Sequence, residues 1–402
     1  MKIIVLGAGV IGVTTAWYLA EAGHEVTVIE RRPDPGLETS FANGGQVSAG
    51  HAEPWARPSV LPKVLRWLGR EDAPLLFRPR ADWAQWEWGL RFMLECLPGR
   101  FERNCRALAG LAAYSRDCLR ALRERTSLKY DYLGKGILQF ATDPRDLDAL
   151  AGHSEFKSAA ECLAIEPALR HSEERILGGV YHRDDESGDA FKFTTALARL
   201  ARDRGVVFQT GTTIRNLIVA ADRVVGLEGC EIQGDAYGVS LGSYSPLVLA
   251  PLGIRIPIYP LKGYSITLPL GPAEQAAAPS VSLTDEAHKI VISRLGNRLR
   301  AAGTAELAGY DTSVNAVRCA AIVRRVRKLF PQLGAVTTIE NWAGLRPATP
   351  GNVPLIGETK LKNLYLNTGH GTLGWTLACG SAKALADLVS GRRPEVEFPF
   401  HA

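Results

Sequence analysis

Hydrophobic and polar positions at the start of the chain follow a strand pattern, then a helix pattern, then a strand pattern again. Residues 3–6 are a continuous apolar run of strand length, which is typical of a strand buried on both faces. Helical spacing covers 13–22 and ends at Gly23, and a second apolar run with β-branched residues covers 26–29. This order predicts a compact β-α-β unit.

Three glycines and one acidic residue stand at the turns of this unit. Gly7, Gly9 and Gly12 form a G-x-G-x-x-G sequence directly after the first strand, and Glu30 follows the second strand. In a dinucleotide-binding unit the glycines permit a tight turn, a close approach to a pyrophosphate and helix packing, while the acid binds ribose hydroxyls. A glycine-rich turn in an ordinary α/β unit is the alternative, but it leaves Glu30 unexplained. The pattern predicts a dinucleotide site and does not by itself separate FAD from NAD.

The rest of the chain alternates between apolar runs of strand length and longer segments with apolar residues three or four positions apart. The predicted strands are 136–140, 178–181, 206–208, 224–227, 236–242, 254–258, 264–268, 289–294, 298–302 and 364–367. The predicted helices are 83–97, 104–127, 193–205, 316–329 and 376–389. Closely spaced strands between 246 and 335 predict an antiparallel sheet. Strand and helix patterns elsewhere predict a nucleotide-binding α/β domain.

Two further segments have the chemistry of a ligand-binding turn. The loop 31–52 contains small hydroxyls and paired glycines, and it leaves the carboxyl edge of the sheet, where a cofactor lies. A turn-rich connector is the alternative for this loop. Near the C-terminus, a glycine-rich turn at 369–374 joins strand 364–367 to helix 376–389 and so repeats the arrangement of the first unit. Two such units suit a long cofactor held at both ends.

Composition and charge exclude several classes of protein. The 402 residues are 46% apolar and 22% charged, as in an ordinary globular enzyme, and a net charge of +5 gives no indication of nucleic-acid binding. The seven cysteines form no C-x-x-C pair and the eight histidines lack metal-ligand spacing, so we expect reduced thiols, a cytoplasmic protein and no metal site. We also expect no transmembrane helix, because no run of 18 apolar residues occurs.

The segment 53–105 is rich in tryptophan and arginine. Five of the eight tryptophans lie in it, namely Trp55, Trp67, Trp83, Trp86 and Trp88. They are mixed with the basic residues Arg57, Lys63, Arg66, Arg70, Arg78 and Arg80. Such a composition suits an interfacial surface on a bilayer, with aromatic rings at the headgroups and basic residues facing anionic lipid. An aromatic helical cap over an active site is the alternative.

Five segments together resemble the D-amino-acid oxidase superfamily, which includes glycine oxidase, and most closely its D-amino-acid dehydrogenase branch of the small, FAD-carrying subunit type. The N-terminal unit carries part of the resemblance. The other segments are TSFANGGQVSAGHAEPWA at 39–56, YPLKGYS at 259–265, GLRPATP at 344–350 and LNTGHGTLGWTLACGS at 366–381. The resemblance covers nearly the whole chain and implies FAD as the cofactor.

The resemblance also implies a fold and a division into domains. The expected class is α/β, or α+β overall, with a Rossmann-like FAD-binding domain and a substrate domain that contains an antiparallel sheet and helices. The FAD-binding domain is expected from the discontinuous segments 1–52, 176–245 and 336–402. Residues 53–175 and 246–335 are expected to form the substrate-binding or cap domain.

The family's site residues carry over to matching positions of this chain. Arg346 matches the arginine that pairs with the substrate carboxylate. Tyr264 and Tyr259 are candidates for supporting hydrogen bonds, or are ordinary strand tyrosines, and His51 lies near the predicted site or is structural. The expected cofactor-binding residues are Gly7, Gly9, Gly12, Glu30, Arg31, Ser40, Asn43, Gly44, Gly45, Gln46, Ile214, Gly242, Gly369, Gly371, Thr372, Leu373 and Gly374.

The expected reaction is oxidative deamination of D-amino acids to 2-oxo acids and ammonia, by hydride transfer from Cα to flavin N5. The expected partners are the amino-acid substrate, a quinone or other electron acceptor, and a peripheral contact with the cytoplasmic face of the inner membrane. One alternative is a flavoenzyme of glycine, sarcosine or proline. The other alternative is a non-catalytic flavin electron-transfer subunit.

Overall fold

The computed structural model describes residues 1–60, 71, 73–334 and 338–400. Trp67 and the basic residues Lys63, Arg66 and Arg70 of the tryptophan-rich segment lie outside the described residues. The fold combines two large sheets with helices packed around them, as expected for the predicted α/β and α+β class.

The strands, in chain order, are β1 Lys2–Leu6, β2 Glu25–Ile29, β3 Gln46–Val47, β4 Leu75–Phe77, β5 Ile137–Ala141, β6 Phe156–Ser158, β7 Gly178–His182, β8 Glu186–Ser187, β9 Val207–Gln209, β10 Leu217–Ala220, β11 Arg223–Leu227, β12 Ala236–Val239, β13 Tyr259–Pro269, β14 Ser282–Asp285, β15 Ile290–Leu295, β16 Arg298–Leu307, β17 Glu340–Ala348, β18 Leu355–Glu358 and β19 Leu364–Thr368. The described helices are α1 Val10–Glu21, α2 Trp83–Glu95, α3 Pro98–Thr126, α4 Pro144–Leu150, α5 Ala159–Ile165, α6 Ala190–Asp203, α7 Ser245–Leu249, α8 Pro272–Ala277, α9 Ala316–Leu329 and α10 Gly374–Val389.

The first sheet has six strands in the order β18-β19-β12-β1-β2-β9, parallel except for the β18–β19 pair. Both faces of β1 are buried. Ile3 and Val5 belong to one apolar core shared with α1, α3, α6 and α10, while Ile4 and Leu6 belong to another on the opposite side. This burial accounts for the continuous apolar run in the sequence, and it confirms the predicted N-terminal β-α-β unit.

The second sheet has nine strands and is largely antiparallel. Its order is β17-β13-β16-β15-β14-β5-β7-β6, with β4 beside β16, and only the β14–β5 and β16–β4 pairs are parallel. Helix α9 packs Ile322, Val326 and Leu329 into the core cluster beneath this sheet. The antiparallel sheet predicted for 246–335 is therefore present.

Several elements differ from the sequence prediction, and three of the differences have a clear cause or extent. Residues 254–258 do not form a strand, because Pro257 has no amide hydrogen to donate and the three isoleucines of this segment pack against the six-stranded sheet. Helix α3 begins at Pro98 rather than near residue 104, since proline is tolerated in the first helical turn. The strand at 298–302 continues to Leu307.

Strand pairing also bears on the expected division into domains. Strands β7 and β17 lie in segments expected to belong to the FAD-binding domain, yet both pair in the nine-stranded sheet. A division by sheets therefore places 178–182 and 340–348 with the substrate side of the molecule. All six strands of the six-stranded sheet come from the segments expected for FAD binding.

Candidate active site

A cavity of about 860 Å³ lies between the two sheets. Residues that follow the carboxyl ends of β1, β2 and β12 line one part of it, and residues of β13 to β17 line the other. The carboxyl edge of a parallel sheet is the place where open α/β folds bind ligands. The cavity therefore joins a nucleotide-binding edge to one face of the antiparallel sheet.

The three glycines of the first turn have different physical roles. A Cβ on Gly7 would lie 2.7 Å from the Ser240 carbonyl oxygen, and Gly7 has a φ of +97°. A Cβ on Gly12 would lie 1.9 Å from the Gly7 carbonyl oxygen. A Cβ on Gly9 would meet only the Ser40 hydroxyl, at 3.5 Å, which is an ordinary contact. Gly7 and Gly12 are required by the protein's own backbone, whereas Gly9 keeps space free at the cavity wall.

The Glu30 carboxylate stands at the end of β2 and is buried. It accepts hydrogen bonds from the backbone N–H groups of Ala8 (2.7 Å) and Arg32 (2.8 Å). These bonds hold the carboxylate against the glycine turn, at the cavity wall. Arg31 also lines the cavity, and its guanidinium pairs with Glu38 at 2.6 Å and lies 3.9 Å from the Tyr244 ring centroid.

The loop after β2 is tied to the rest of the cavity wall by short hydrogen bonds. Ser40 accepts from the Val10 N–H at the start of α1 (2.9 Å), and Asn43 accepts from the Gly45 N–H (2.9 Å). A Cβ on Gly44 would lie 2.3 Å from a Val291 methyl, so this glycine permits close packing on β15. Gln46 donates to the Ser282 hydroxyl at 3.0 Å and thus joins the loop to β14.

Most of the predicted cofactor-binding residues line this cavity. They are Gly7, Gly9, Glu30, Arg31, Ser40, Asn43, Gly44, Gly45, Gln46, Ile214, Gly242, Gly371, Thr372, Leu373 and Gly374. Gly12 and Gly369 do not line it, although both belong to its turns. The open space at Gly9, the start of α1 and the Glu30 carboxylate fit the predicted FAD.

Arg346 occupies the substrate side of the cavity on β17. Its Nη1 donates to the Thr304 carbonyl oxygen at 2.8 Å, and its guanidinium carbon lies 5.9 Å from the Trp55 ring centroid. Within the described part of the chain, no carboxylate lies within ion-pair distance of this guanidinium. Burial, with a smaller effect from the Arg318 guanidinium, lowers the pKa of Arg346 to about 10, so it remains charged at neutral pH.

The two predicted tyrosines differ in position. Tyr264 lines the cavity, but its hydroxyl donates to Glu306 at 2.5 Å, and burial together with that carboxylate raises the pKa of Tyr264. The Tyr259 hydroxyl donates to Asp82 at 3.0 Å, and Tyr259 does not line the cavity. The structure therefore does not bring Tyr259 to the site, because its hydroxyl is used to anchor the start of α2.

His51 lies at the other end of the substrate side. Its ring stacks on His182 with a centroid distance of 5.8 Å, and its Nε2 is 3.4 Å from the Gln139 amide nitrogen. Burial lowers the pKa of His51, which favours the neutral imidazole at neutral pH. Gln139 in turn donates to Glu286 at 2.5 Å, and Glu286 pairs with Lys289.

Several cavity residues were not found from the sequence. Thr304, Glu286 and Lys289 line the substrate side, but each lies in or beside an ordinary strand pattern with no distinguishing spacing. Trp55, Leu75 and Phe92 add apolar surface there. The clustering of tryptophans in 53–105 was the one signal that pointed to this wall.

Comparisons with known proteins agree with this geometry. The family model described as FAD dependent oxidoreductase (DAO) matches residues 2–388. A D-amino acid dehydrogenase of Dechloromonas aromatica (strain RCB) is 56% identical over all of this chain and 99% of the relative. Another from Paramagnetospirillum magneticum (strain ATCC 700264 / AMB-1) is 54% identical over 98% of this chain and 96% of the relative. The glycine oxidase structure from Geobacillus kaustophilus has a TM-score of 0.77, covers 98% of this chain and 96% of its own, and is 21% identical, which shows a shared fold.

Proposed function

The chain belongs to the DAO family of FAD dependent oxidoreductases, and we propose that it is an FAD-dependent dehydrogenase that converts D-amino acids to 2-oxo acids and ammonia. The family and the FAD cofactor predicted from the sequence are confirmed. Within the proposed function, the D configuration of the substrate is supported by the names of the full-length relatives. The observation that carries the assignment of the substrate site is Arg346, a partly buried guanidinium on the cavity wall.

The proposed role of Arg346 is to bind the substrate carboxylate. Among the described residues no acidic side chain neutralises this partly buried cation, and desolvating it further without a counterion is unfavourable. A guanidinium offers two parallel N–H donors, which fix the orientation of a carboxylate as well as its position. An α-amino acid supplies the missing anion.

The surrounding side chains favour the reactive form of the substrate. Bound FAD supplies a flavin ring that accepts a hydride from the substrate Cα. Trp55, Leu75 and Phe92 provide apolar walls that exclude water from the region beside Arg346. The Arg346 charge and this desolvation both lower the pKa of a nearby substrate amine, so the neutral amine needed for oxidation is favoured. Catalysis in this scheme depends on positioning by the protein rather than on a side-chain base.

Helix α2 supports the proposal of a peripheral membrane contact and a quinone as the electron acceptor. Its inner side contributes Phe92 to the cavity, while its outer side exposes Trp83 (75%) and Leu90 (55%) to solvent. The other exposed apolar residues on this side are Trp86, Met93, Leu94 and Leu97. An apolar helix face of this kind suits the headgroup region of a bilayer, where a lipid-soluble quinone is available. We propose that it contacts the cytoplasmic face of the inner membrane.

No helix among the described residues is long and apolar enough to cross a membrane.

The proposed function is tested by mixing the FAD-loaded protein anaerobically with single amino acids. The panel contains both enantiomers of alanine and phenylalanine, together with glycine, sarcosine and proline. We expect the visible flavin absorbance to bleach rapidly with the D-enantiomers and slowly or not at all with the others. Bleaching by glycine, sarcosine or proline alone would assign the alternative substrate class, and no bleaching with any member would support a non-catalytic subunit.

A further inference from the structure

A β-bulge lies in the pairing of β13 with β16, on the cavity wall. Gly263 of β13 faces two residues of β16, Thr304 and Ala305, instead of one. Thr304 has a φ of +57°, which β-branched residues rarely adopt and which persists where the surrounding structure enforces it. Bulges redirect the groups of the bulged strand and are frequent beside active sites. Here the Thr304 carbonyl accepts from Nη1 of Arg346 at 2.8 Å, so the bulge supplies a fixed acceptor for the guanidinium.

The absence of a side chain at Gly263 leaves room for this guanidinium. A Cβ built on Gly263 would overlap the guanidinium carbon of Arg346 and lie 2.5 Å from its Nη2 and 2.6 Å from its Nη1. The three nearest neighbours of that Cβ are thus all guanidinium atoms. Gly263 does not have a positive φ, so its backbone conformation is one that alanine also adopts. Glycine is therefore required at this position by the guanidinium and not by the backbone.

Arg346 keeps free donors when it is held in this way. Its Nε and Nη2, which share one edge of the guanidinium, have no hydrogen-bond partner among the residues that the structure describes. Neither nitrogen is closed off from the cavity, since both keep accessible surface, and Arg346 and Gly263 both line the cavity. Two parallel N–H donors on one edge match the two oxygens of a carboxylate.

We infer that Gly263 is a positioning residue for the substrate carboxylate. Its lack of a side chain lets Arg346 lie across β13, with Nη1 on the Thr304 carbonyl and the Nε–Nη2 edge presented to the carboxylate. The inference rests on the proposed function, because it takes the carboxylate ligand from it. It assigns a role to the glycine of the YPLKGYS segment, which the cofactor site does not use.

The test places a methyl in this space and measures carboxylate binding. Gly263→Ala is compared with Arg346→Leu and with the double variant, in which no guanidinium remains for the methyl to displace. Gly226→Ala in β11 is the matched control, since a Cβ there would meet only the Ile218 Cδ1, at 3.9 Å, and Gly226 does not line the cavity.

The readouts are the KM for D-phenylalanine, the rate with 2-phenylethylamine and the Kd of 3-phenylpropionate from the flavin spectrum. The amine lacks the carboxylate, and 3-phenylpropionate keeps the carboxylate and lacks the amine. Flavin content and circular dichroism are recorded for every variant, so that loss of cofactor or fold is measured separately.

Displacement of the guanidinium is expected to raise the D-phenylalanine KM and the 3-phenylpropionate Kd by about ten- to hundredfold in Gly263→Ala, as for a lost hydrogen bond to a charged group. The rate with 2-phenylethylamine and the flavin content should not change. In the Arg346→Leu background the same methyl should alter the Kd by less than about twofold, because Gly263 acts through the guanidinium. Gly226→Ala should behave as the wild type.

An unchanged Kd in Gly263→Ala would overturn the inference, as would an equal loss from the methyl when Arg346 is already leucine. Failure of both the single and the double variant to fold would also overturn it, because glycine would then be required by the backbone.

The 3-phenylpropionate measurement separates this result from the proposed function. If no amino acid bleaches the flavin, the proposed function fails, and the Kd still decides whether Gly263 positions Arg346 for a carboxylate. An unchanged Kd in Arg346→Leu would contradict the carboxylate role of Arg346 and the inference together.

Discussion

Arg346 is partly buried on the cavity wall and carries a charge that no described acidic side chain neutralises. Among the described residues, its one hydrogen bond is to the Thr304 carbonyl, which satisfies one of its five N–H donors. Desolvation of an ion costs several kcal/mol, and a backbone carbonyl offsets only part of it. The residue is therefore poised for an anion, and this is the physical basis for the carboxylate site.

The burial of His370 leads to a prediction of how the free energy of unfolding changes with pH. It is buried on the cavity wall, and burial lowers its pKa to about 3, below the usual 6.5. Between these values the unfolded chain binds a proton that the folded protein does not, so stability is full above pH 6.5 and is lost as the pH falls. From pH 6.5 to pH 5 this histidine should account for about 2 kcal/mol of lost unfolding free energy.

The measurement is urea unfolding of the FAD-loaded protein and of His370→Gln at several pH values. The glutamine can replace the hydrogen bond that the His370 ring makes with Ser381 at 3.1 Å, but it does not titrate. We expect the variant to lose stability less steeply below pH 6.5. Parallel curves for the two proteins would show that His370 does not control the acid sensitivity.

At the scale of the elements, a substitution in the turn between β1 and α1 can affect cofactor binding without affecting folding. Gly9→Ala adds a methyl that meets only the Ser40 hydroxyl, at 3.5 Å, so the protein should still fold. If the pyrophosphate of FAD binds at this turn, as the sequence predicts, the same methyl enters its space, so the purified variant should be largely colourless. Flavin content and circular dichroism measure the two effects separately.

Gly238→Ala in β12 is the matched control for that change. A Cβ there meets nothing within 4 Å, and Gly238 does not line the cavity. It should keep its flavin. A Gly9→Ala protein with full flavin would place the pyrophosphate elsewhere.

Helix α2 carries the prediction about membranes. Its exposed apolar side should give co-sedimentation with anionic vesicles. Arg91 and Arg100 beside it pair with Glu87 and Glu95, and binding should be salt-sensitive because these guanidinium groups exchange their partners for lipid phosphates. Changing Leu90 and Met93 together to aspartate should abolish it. Ile218→Asp on β10, also an exposed apolar position, should not. The membrane proposal is contradicted if the protein does not bind vesicles at low salt, or if Ile218→Asp loses as much vesicle binding as the α2 variant. In either case α2 serves only as a cap on the cavity.

At the scale of the whole molecule, the sequence predicted the parts that depend on local pattern. The N-terminal β-α-β unit and the C-terminal strand–turn–helix unit each lie within about thirty contiguous residues, so spacing alone specifies them. The FAD family also followed from motifs that are continuous in the chain. Most predicted cofactor residues line the cavity because they belong to these turns.

The remaining features depend on pairing between distant segments. The sequence placed β7 and β17 with the nucleotide segments, but their partners β5 and β13 lie elsewhere in the chain. The pairing of β13 with β16 contains a β-bulge, where Gly263 faces both Thr304 and Ala305. This bulge arises from the register of the two strands, and the spacing of residues in the sequence does not indicate it. The contact of the Tyr259 hydroxyl with Asp82 likewise joins residues 177 positions apart, so the sequence did not show which of the two alternatives for Tyr259 applies.

The most direct test of the account compares two substrates in two proteins. D-phenylalanine and 2-phenylethylamine differ only by the carboxylate. The wild type and Arg346→Leu differ by the guanidinium that is proposed to bind this carboxylate. The rate of anaerobic flavin bleaching is measured for all four combinations, after flavin content confirms that both proteins are loaded. Loss of a buried charge pair costs on the order of 3–5 kcal/mol, so Arg346→Leu should slow D-phenylalanine by roughly two to four decades.

We expect 2-phenylethylamine to react slowly in the wild type and to lose little further rate in Arg346→Leu. Arg346→Lys, which keeps the charge and loses the planar fork, should fall between the wild type and the Leu variant with D-phenylalanine. If Arg346→Leu slows both compounds by the same factor, the residue supports the fold or the flavin, and the carboxylate site proposed here is contradicted.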